Sequence, residues 1–208
     1  MLPTDIRAVL SYPGVFDLWS RLAGAEQCRA FFVNKHVRPA TNARVLDVGC
    51  GTGRILNHLP PDARYVGIDI SASYISQARA RYGNRAEFCV GDAASFQCRD
   101  SAFDVIVACG VLHHLDDEQA RVLFRNAVGM LTHRGRLATI DPVIDVGQSR
   151  ASRAVMARDR GKHIRTPQAY TQLAERAFPA TRLSIYRGLL RIPYWHCVLE
   201  CGKVMAGD

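Results

Sequence analysis

The stretch VLDVGCGTG, residues 45–53, constrains the fold of this chain more than any other feature. An apolar run that contains one carboxylate, Asp47, is followed by glycines at every second position, Gly49, Gly51 and Gly53. Glycine lets the backbone turn sharply and lets a ligand approach without a Cβ in the way. The pattern predicts a buried strand that ends in a ligand-binding turn, as in parallel α/β sheets, where ligands bind beyond the carboxyl ends of the strands.

The rest of the chain alternates apolar runs with amphipathic stretches, which is typical of an α/β fold. Strands are predicted over residues 43–48, 65–70, 86–90, 103–108, 136–140, 183–186 and 194–200. Helices are predicted over residues 15–37, 71–83, 116–131, 149–160 and 167–178, with a further helical stretch starting at residue 54. The last two strands are joined by a short loop, so we expect them to pair antiparallel.

The chain has 208 residues and an ordinary composition, which favours one domain with its own core. We divide it into an N-terminal helical cap (1–40), a half that binds a cofactor (41–141) and a half that faces the substrate (142–208). No apolar run is long enough to span a bilayer, and the first residues lack the apolar core of a secretory signal. We therefore expect a cytoplasmic protein without membrane contact, and its oligomeric state stays open.

Much of the net charge of +8 comes from one short segment of the chain. Residues 148–165 contain six Arg or Lys residues and one Asp, a net charge of +5. This segment is either a solvated helix face or an anion-binding lid over the site, with Arg158 as a substrate contact and Gly147 and Gly161 as hinges. The charge also leaves RNA open as a partner, although aromatic residues do not alternate with the basic ones as stacking platforms would.

Common phosphate-binding loops do not fit the glycine turn. A P-loop requires Gly-Lys followed by Ser or Thr, whereas Gly53 is followed by Arg54 and Ile55. A dinucleotide loop requires a third glycine where Arg54 stands. Asp47 would also repel a pyrophosphate, and it suits a ligand that carries a cation, such as S-adenosylmethionine.

The glycine turn resembles the first motif of the class I S-adenosylmethionine-dependent methyltransferases, in particular their small bacterial members. Further segments resemble the later motifs of this family in the right order: YVGIDIS ending the second strand, GDA after the third, FDVIVACGVLHHL over the fourth and GRLATID at the fifth. The resemblance implies a Rossmann-like three-layer sandwich. Its seven-stranded, mostly parallel sheet has an antiparallel last strand and the order 3-2-1-4-5-7-6.

The resemblance also implies the cofactor, S-adenosylmethionine, and the residues that bind it. Asp69 ends the second strand, where acids accept hydrogen bonds from ribose hydroxyls. Asp92 corresponds to the family's adenine contact, and the backbone after the fourth strand would line the methionine part. The expected cofactor site comprises Asp47, Gly49, Cys50, Gly51, Asp69, Ile70, Asp92, Ala93, Ala108 and Cys109.

Candidate residues for chemistry follow the fourth and fifth strands. His113 and His114 would overhang the methyl donor, where a histidine can accept a proton near neutral pH. Each histidine could equally cap the next helix or pack in its loop. Asp141 could orient a histidine or hold an amine, and Tyr12 and Tyr194 are candidates to line the substrate pocket.

We expect a methyltransferase that acts on oxygen or nitrogen of a small molecule, with an acidic one favoured by the basic segment. No metal is expected, because the acid and the Asp-Asn pair of metal-dependent catechol-type enzymes are absent. The proline-rich signature of base-amino methyltransferases is also missing after the fourth strand. The alternatives are an RNA methyltransferase, an NAD-binding oxidoreductase and a non-catalytic scaffold that binds S-adenosylmethionine.

Overall fold

A seven-stranded sheet with the order β3-β2-β1-β4-β5-β7-β6 forms the centre of the protein. The computed structural model describes residues 22–92, 95–96 and 102–203. The strands are β1 Arg44–Val48, β2 Arg64–Asp69, β3 Glu87–Val90, β4 Phe103–Cys109, β5 Leu131–Pro142, β6 Ala180–Arg187 and β7 Trp195–Gly202. β1 to β5 run parallel, and β7 is antiparallel to both β5 and β6. The predicted topology is confirmed.

Most of the helices begin where the sequence supplies a side-chain cap. They are α1 Ala25–Phe32, α2 Ala72–Tyr82, α3 Asp117–Met130, α4 Arg150–Met156 and α5 Pro167–Glu175. Ser71, Asp116, Ser149 and Thr166 each accept a backbone N–H in the first turn of the helix that follows. No helix in the described ranges is long and apolar enough to cross a membrane. Tyr12, Ala93 and residues 15–21 of the predicted first helix lie outside the described residues.

Apolar side chains cover both faces of the sheet. On one face, Phe124 of α3 and Phe178, just after α5, pack with buried residues of β4, β5 and β7. On the other face, Phe32 of α1 and Ile75 and Ala78 of α2 pack on β1, β2 and β4. Sheets buried on both faces read as continuous apolar runs, and this explains why β4 is almost wholly hydrophobic.

Several local predictions were wrong, and the clearest cases concern β5 and the glycine turn. β5 begins at Leu131 instead of residue 136, because a register shift between Phe103 and Val105 lets the strand pair with β4 from its first residue. β5 also extends to Pro142, which ends the strand, where a residue without an N–H is tolerated. The helical stretch after the glycine turn is a short 3-10 turn, Arg54–His58.

Candidate active site

A cavity of about 420 Å³ opens at the carboxyl ends of β1, β2 and β4, the place where parallel sheets bind ligands. Of the predicted cofactor residues, those that line it are Asp47, Gly49, Cys50, Gly51, Asp69, Ile70, Asp92 and Cys109. Ala108 does not line it, because its side chain is buried within β4. Residues that sequence reasoning missed also line it, namely Arg29, Thr52, Arg54, Ile55, Tyr74, Gly91, Gly110, Val111, Leu115, Gln119 and Arg160.

The glycine turn forms the floor of the cavity. Gly49, Gly51 and Gly53 have φ values of 69°, 55° and 74°, a conformation that favours glycine. A Cβ on Gly49 would lie 2.5 Å from Cγ2 of Val111 in the loop after β4. The two loops therefore touch at this point, and a side chain at residue 49 would push them apart.

Asp69 ties the glycine turn to the end of β2. Its Oδ2 accepts the backbone N–H of Gly51 at 2.8 Å, and its Oδ1 accepts the N–H of Ser71 at 2.8 Å. Each carboxylate oxygen has a further lone pair, so the group can still accept hydroxyl hydrogens from a ligand. Ile70, beside it, is 74% exposed at the cavity and offers an apolar surface to a flat ring.

Asp47 lies beneath the floor, almost fully buried. Its Oδ2 accepts the hydroxyl of Tyr65 at 2.6 Å, and its Oδ1 has no hydrogen-bond partner among the described residues. Burial raises the pKa of Asp47 to about 7, and the Tyr65 hydroxyl opposes this shift without cancelling it. A ligand that carries a cation would provide the missing partner.

His113 is held between two carboxylates behind the cavity. Its Nδ1 lies 2.9 Å from Oδ1 of Asp141, and its Nε2 lies 3.3 Å from Oδ1 of Asp159. Burial opposes the charge on the ring, but the hydrogen bonds to Asp141 and Asp159 outweigh it and raise the pKa of His113 to about 9. A ring with both nitrogens occupied and protonated cannot accept a proton from a substrate, so this placement argues against the predicted catalytic role of His113.

His114 takes the position that was predicted for a catalytic histidine. It is exposed and lines the cavity. Its ring centroid lies 4.0 Å from that of His113. Partial desolvation and the charge of the neighbouring His113 lower the pKa of His114 to about 4. His114 therefore stays neutral and can accept a hydrogen bond or a proton.

Asp141 and Tyr194 hold the loops of the site and do not line the cavity. Asp141 is buried and also accepts the backbone N–H of His113 at 3.2 Å. Tyr194 donates its hydroxyl to Oδ2 of Asp159 at 2.5 Å. The prediction that Asp141 orients a histidine agrees with this geometry, whereas Tyr194 has its hydroxyl committed to Asp159.

The basic segment has one residue at the cavity, Arg160. Arg158, just after α4, is exposed and donates to the carbonyl of Ala154 in that helix at 3.1 Å, so it lies outside the cavity for which it was predicted. Arg165 is buried and donates to the carbonyls of Leu112 and Leu115 at 2.8 and 2.7 Å. Part of the positive charge therefore serves to fix the loop after β4.

Glu26 of α1 joins the opposite wall to the turn after the glycines. Its carboxylate lies 3.3 Å from Arg29, 3.6 Å from Arg54 and 3.0 Å from His58. In the sequence, Glu26 and Arg29 look like an ordinary helical pair three residues apart, and this is why Arg29 was missed. Among the described residues, no cluster of three or more His, Cys, Asp or Glu side chains is arranged to hold a metal.

Known proteins share this fold and parts of this sequence. A family model described as a methyltransferase domain matches residues 45–135. The phosphoethanolamine N-methyltransferase 1 of Arabidopsis thaliana is 30% identical over 81% of this chain, but the match covers 35% of the plant protein. The chain thus spans about a third of the length of that relative.

Two further matches cover more of the other protein. The O-methyltransferase rstn1 of Aspergillus nomiae is 29% identical over 70% of this chain and 68% of its own length. The solved structure of the pyocyanin biosynthetic protein PhzM superposes with a TM-score of 0.72 at 18% identity, covering 97% of this chain and 63% of the other. These matches support the resemblance to the class I S-adenosylmethionine-dependent methyltransferases that was found in the sequence. The same matches support S-adenosylmethionine as the cofactor.

Proposed function

We propose that this protein methylates an oxygen or nitrogen atom of a small molecule that carries an anionic group. The observation that carries the proposal is the division of the cavity. The carboxylates and the apolar surface of Ile70 come from the ends of β1, β2 and β3 on one side, and the neutral His114 and the cationic Arg160 come from the loop after β4 and the basic segment on the other. The first side matches a ligand with hydroxyls, an amine and a flat ring, and the second matches an anionic acceptor.

The cofactor side fits S-adenosylmethionine and disfavours a dinucleotide. Asp69 would accept hydrogen bonds from the ribose, Ile70 would contact the adenine, and Asp92 would accept from its amino group. Asp47, with one buried oxygen unpartnered, would face the amine of the methionine part. Asp47, Asp69 and Asp92 would together repel a pyrophosphate, which argues against the NAD alternative. When bound, the cofactor supplies a methyl group already activated by its sulfonium.

His114 is the proposed general base. Its low pKa keeps the ring neutral throughout the physiological pH range, so it is ready to accept a proton from the hydroxyl or amine of the acceptor. His113 and Asp141 are positioning residues in this scheme. The protonated His113 ring packs against the ring of His114, and its bond to Asp141 fixes the loop that carries both histidines.

An assay on a panel of acceptors tests the proposed function. Labelled S-adenosylmethionine would be offered with paired hydroxyl- and amine-containing molecules that differ only in the presence of a carboxylate or phosphate. We expect methyl transfer to the anionic member of a pair. Transfer to RNA, or to no small molecule while the cofactor binds, would contradict the proposal. The relatives named phosphoethanolamine N-methyltransferase and O-methyltransferase support this choice of panel.

Removal of the Asp69 carboxylate is expected to weaken cofactor binding. Asp69→Ala should reduce the affinity for S-adenosylhomocysteine by about 1–3 kcal/mol, because the ribose hydroxyls lose a charged acceptor. Titration calorimetry measures the change. Asp62→Ala is the matched control, since Asp62 caps a loop at Asn42 and does not line the cavity. Equal affinities of the Asp69 variant and the parent protein would refute the ribose assignment.

Arg160 provides a test of the anionic acceptor. Arg160→Gln is expected to raise the KM for an anionic acceptor roughly tenfold, the value of a hydrogen bond to a charged group, and to leave kcat largely intact. Arg158→Gln is the control, because its side chain lies in the same segment but outside the cavity. A larger effect of the Arg158 substitution would show that the acceptor binds elsewhere.

A further inference from the structure

Asp47 on β1 and Tyr65 on β2 form a buried pair, and the hydrogen bond between them has no role in the proposed function so far. Asp47 is 2% exposed and Tyr65 is 3% exposed. Their side chains meet in a hydrogen bond of 2.6 Å from the Tyr65 hydroxyl to Oδ2 of Asp47. This contact fixes the plane of the carboxyl group and leaves the buried Oδ1 without a partner in the described part of the chain, in a residue that lines the cavity.

Among the described residues, no group packed around Asp47 provides a full counter-charge. Asp69, at the end of β2, disfavours its ionisation, whereas Arg29 of α1 favours it from a position where the guanidinium is already bonded to Glu26. The thiols of Cys50 and Cys109 also face this region, and burial keeps both of them neutral by raising their pKa values. Desolvation by burial has the largest effect on the pKa of Asp47 and raises it to about 7, so the carboxyl in the free protein is partly protonated near neutral pH.

We propose that Tyr65 is a positioning residue that holds Asp47 with one oxygen towards the cavity, and that binding of the cationic cofactor expels a proton from Asp47. The inference rests on the proposed function, since it requires a ligand whose amine approaches this oxygen. The Tyr65 ring also fills the core between Asp47 and Phe88.

The proton balance of the step is simple. The O–H bond of the Asp47 carboxyl breaks, the proton passes to the solvent, and the resulting carboxylate faces the ammonium group of the ligand. The Tyr65 hydroxyl keeps its own proton, because burial raises its pKa well above the ordinary value, and it continues to donate to Oδ2. By linkage, cofactor affinity should rise about tenfold for each pH unit below the midpoint of the free carboxyl and then level off.

Calorimetry with S-adenosylhomocysteine, which keeps the amine but cannot react, measures the proton directly. Binding heats in buffers of different ionisation enthalpy give the number of protons released. With an Asp47 pKa of about 7 in the free protein, we expect close to one proton at about pH 6 and almost none at about pH 8. Methylthioadenosine, which lacks the amine, should release none. Infrared difference spectra should show loss of a protonated carboxyl band on binding.

Variants separate the roles of the two side chains. Asp47→Asn should abolish proton release and the loss of the carboxyl band, because the titrating group is gone. Tyr65→Phe removes one donor to the carboxylate, so the pH midpoint should move upward by about one unit, with roughly fivefold weaker binding near pH 7 and roughly tenfold weaker binding well below it. Tyr82→Phe is the matched control, since the Tyr82 hydroxyl donates to Asn57 and not to Asp47.

Each outcome has a distinct meaning. Tight binding without proton release, or an unchanged pH midpoint in Tyr65→Phe, overturns the proton coupling and leaves the proposed function standing. Absence of S-adenosylhomocysteine binding at every pH overturns the proposed function itself. If Tyr65→Phe fails to fold, the proton count and the infrared band of the unaltered protein, compared with those of Asp47→Asn, still test whether cofactor binding releases a proton from Asp47.

Discussion

Replacing His114 with alanine is expected to lower turnover by roughly 10²–10⁴-fold, the usual contribution of a general base. The affinity for S-adenosylhomocysteine should stay close to that of the parent protein, because the proposed cofactor contacts come from the loops after β1, β2 and β3. Single-turnover measurements with saturating cofactor would isolate the chemical step from binding. His133→Ala is the control, since His133 is exposed on β5 and does not line the cavity.

The pH dependence gives this prediction a second readout. A base works only when deprotonated, and the pKa of His114 is lowered to about 4 by desolvation and by the charged His113 beside it. Turnover should therefore fall with acid only near pH 4, instead of near the ordinary value of about 6.5. An acid limb centred near the ordinary value, or full activity of His114→Ala, would remove this residue from the mechanism and leave alignment of the reactants as the source of the rate.

The parts of the fold and site that follow from the sequence are those that depend on local pattern. The glycine turn, the apolar strands and the acids at strand ends are all set within a few residues of each other. Asp47, Asp69 and Asp92 therefore reach the cavity as predicted, because the carboxyl ends of parallel strands meet at one edge. The strand order was predicted from the resemblance of these motifs to a family, and the structure confirms it.

The roles of the two adjacent histidines could not be separated from the sequence. His113 and His114 lie in a 3-10 turn, where neighbouring side chains point about 120° apart, so one faces the cavity and the other faces away. The direction is set by residues far along the chain. Asp159 accepts from the His113 ring, and Gly161 packs so closely on it that a Cβ there would overlap the imidazole.

For the basic segment, too, the roles of individual side chains could not be predicted from the sequence. Its charge could be counted from the sequence, but the partner of each arginine could not. Arg165 donates to the loop after β4 and, from its Nε, to Asp117 at 2.9 Å. Within this segment, Arg160 alone lines the cavity. Sequence spacing carries no information about such contacts, which join residues about fifty positions apart.

The buried charges behind the cavity make His113 the residue whose loss should most affect stability. His113→Leu keeps a similar volume but leaves Asp141, which is 1% exposed, without its cationic partner. Breaking a buried ion pair by removing one member costs about 3–5 kcal/mol. Urea unfolding near pH 7 should show this loss. His133→Leu, at an exposed position of β5, should change the free energy of unfolding by less than about 0.5 kcal/mol.

The same ion pair predicts how stability changes with pH. The pKa of His113 is about 9 in the folded protein, because its hydrogen bonds to Asp141 and Asp159 outweigh the effect of burial, and it is about 6.5 in the unfolded chain. Its contribution, about 3 kcal/mol, is therefore complete below pH 6.5 and is lost as the pH rises through 9. The difference in unfolding free energy between the parent protein and His113→Leu should narrow over this alkaline range. A constant difference from about pH 6 to pH 10 would show that His113 is neutral in the folded state, and that it holds Asp159 through ordinary hydrogen bonds.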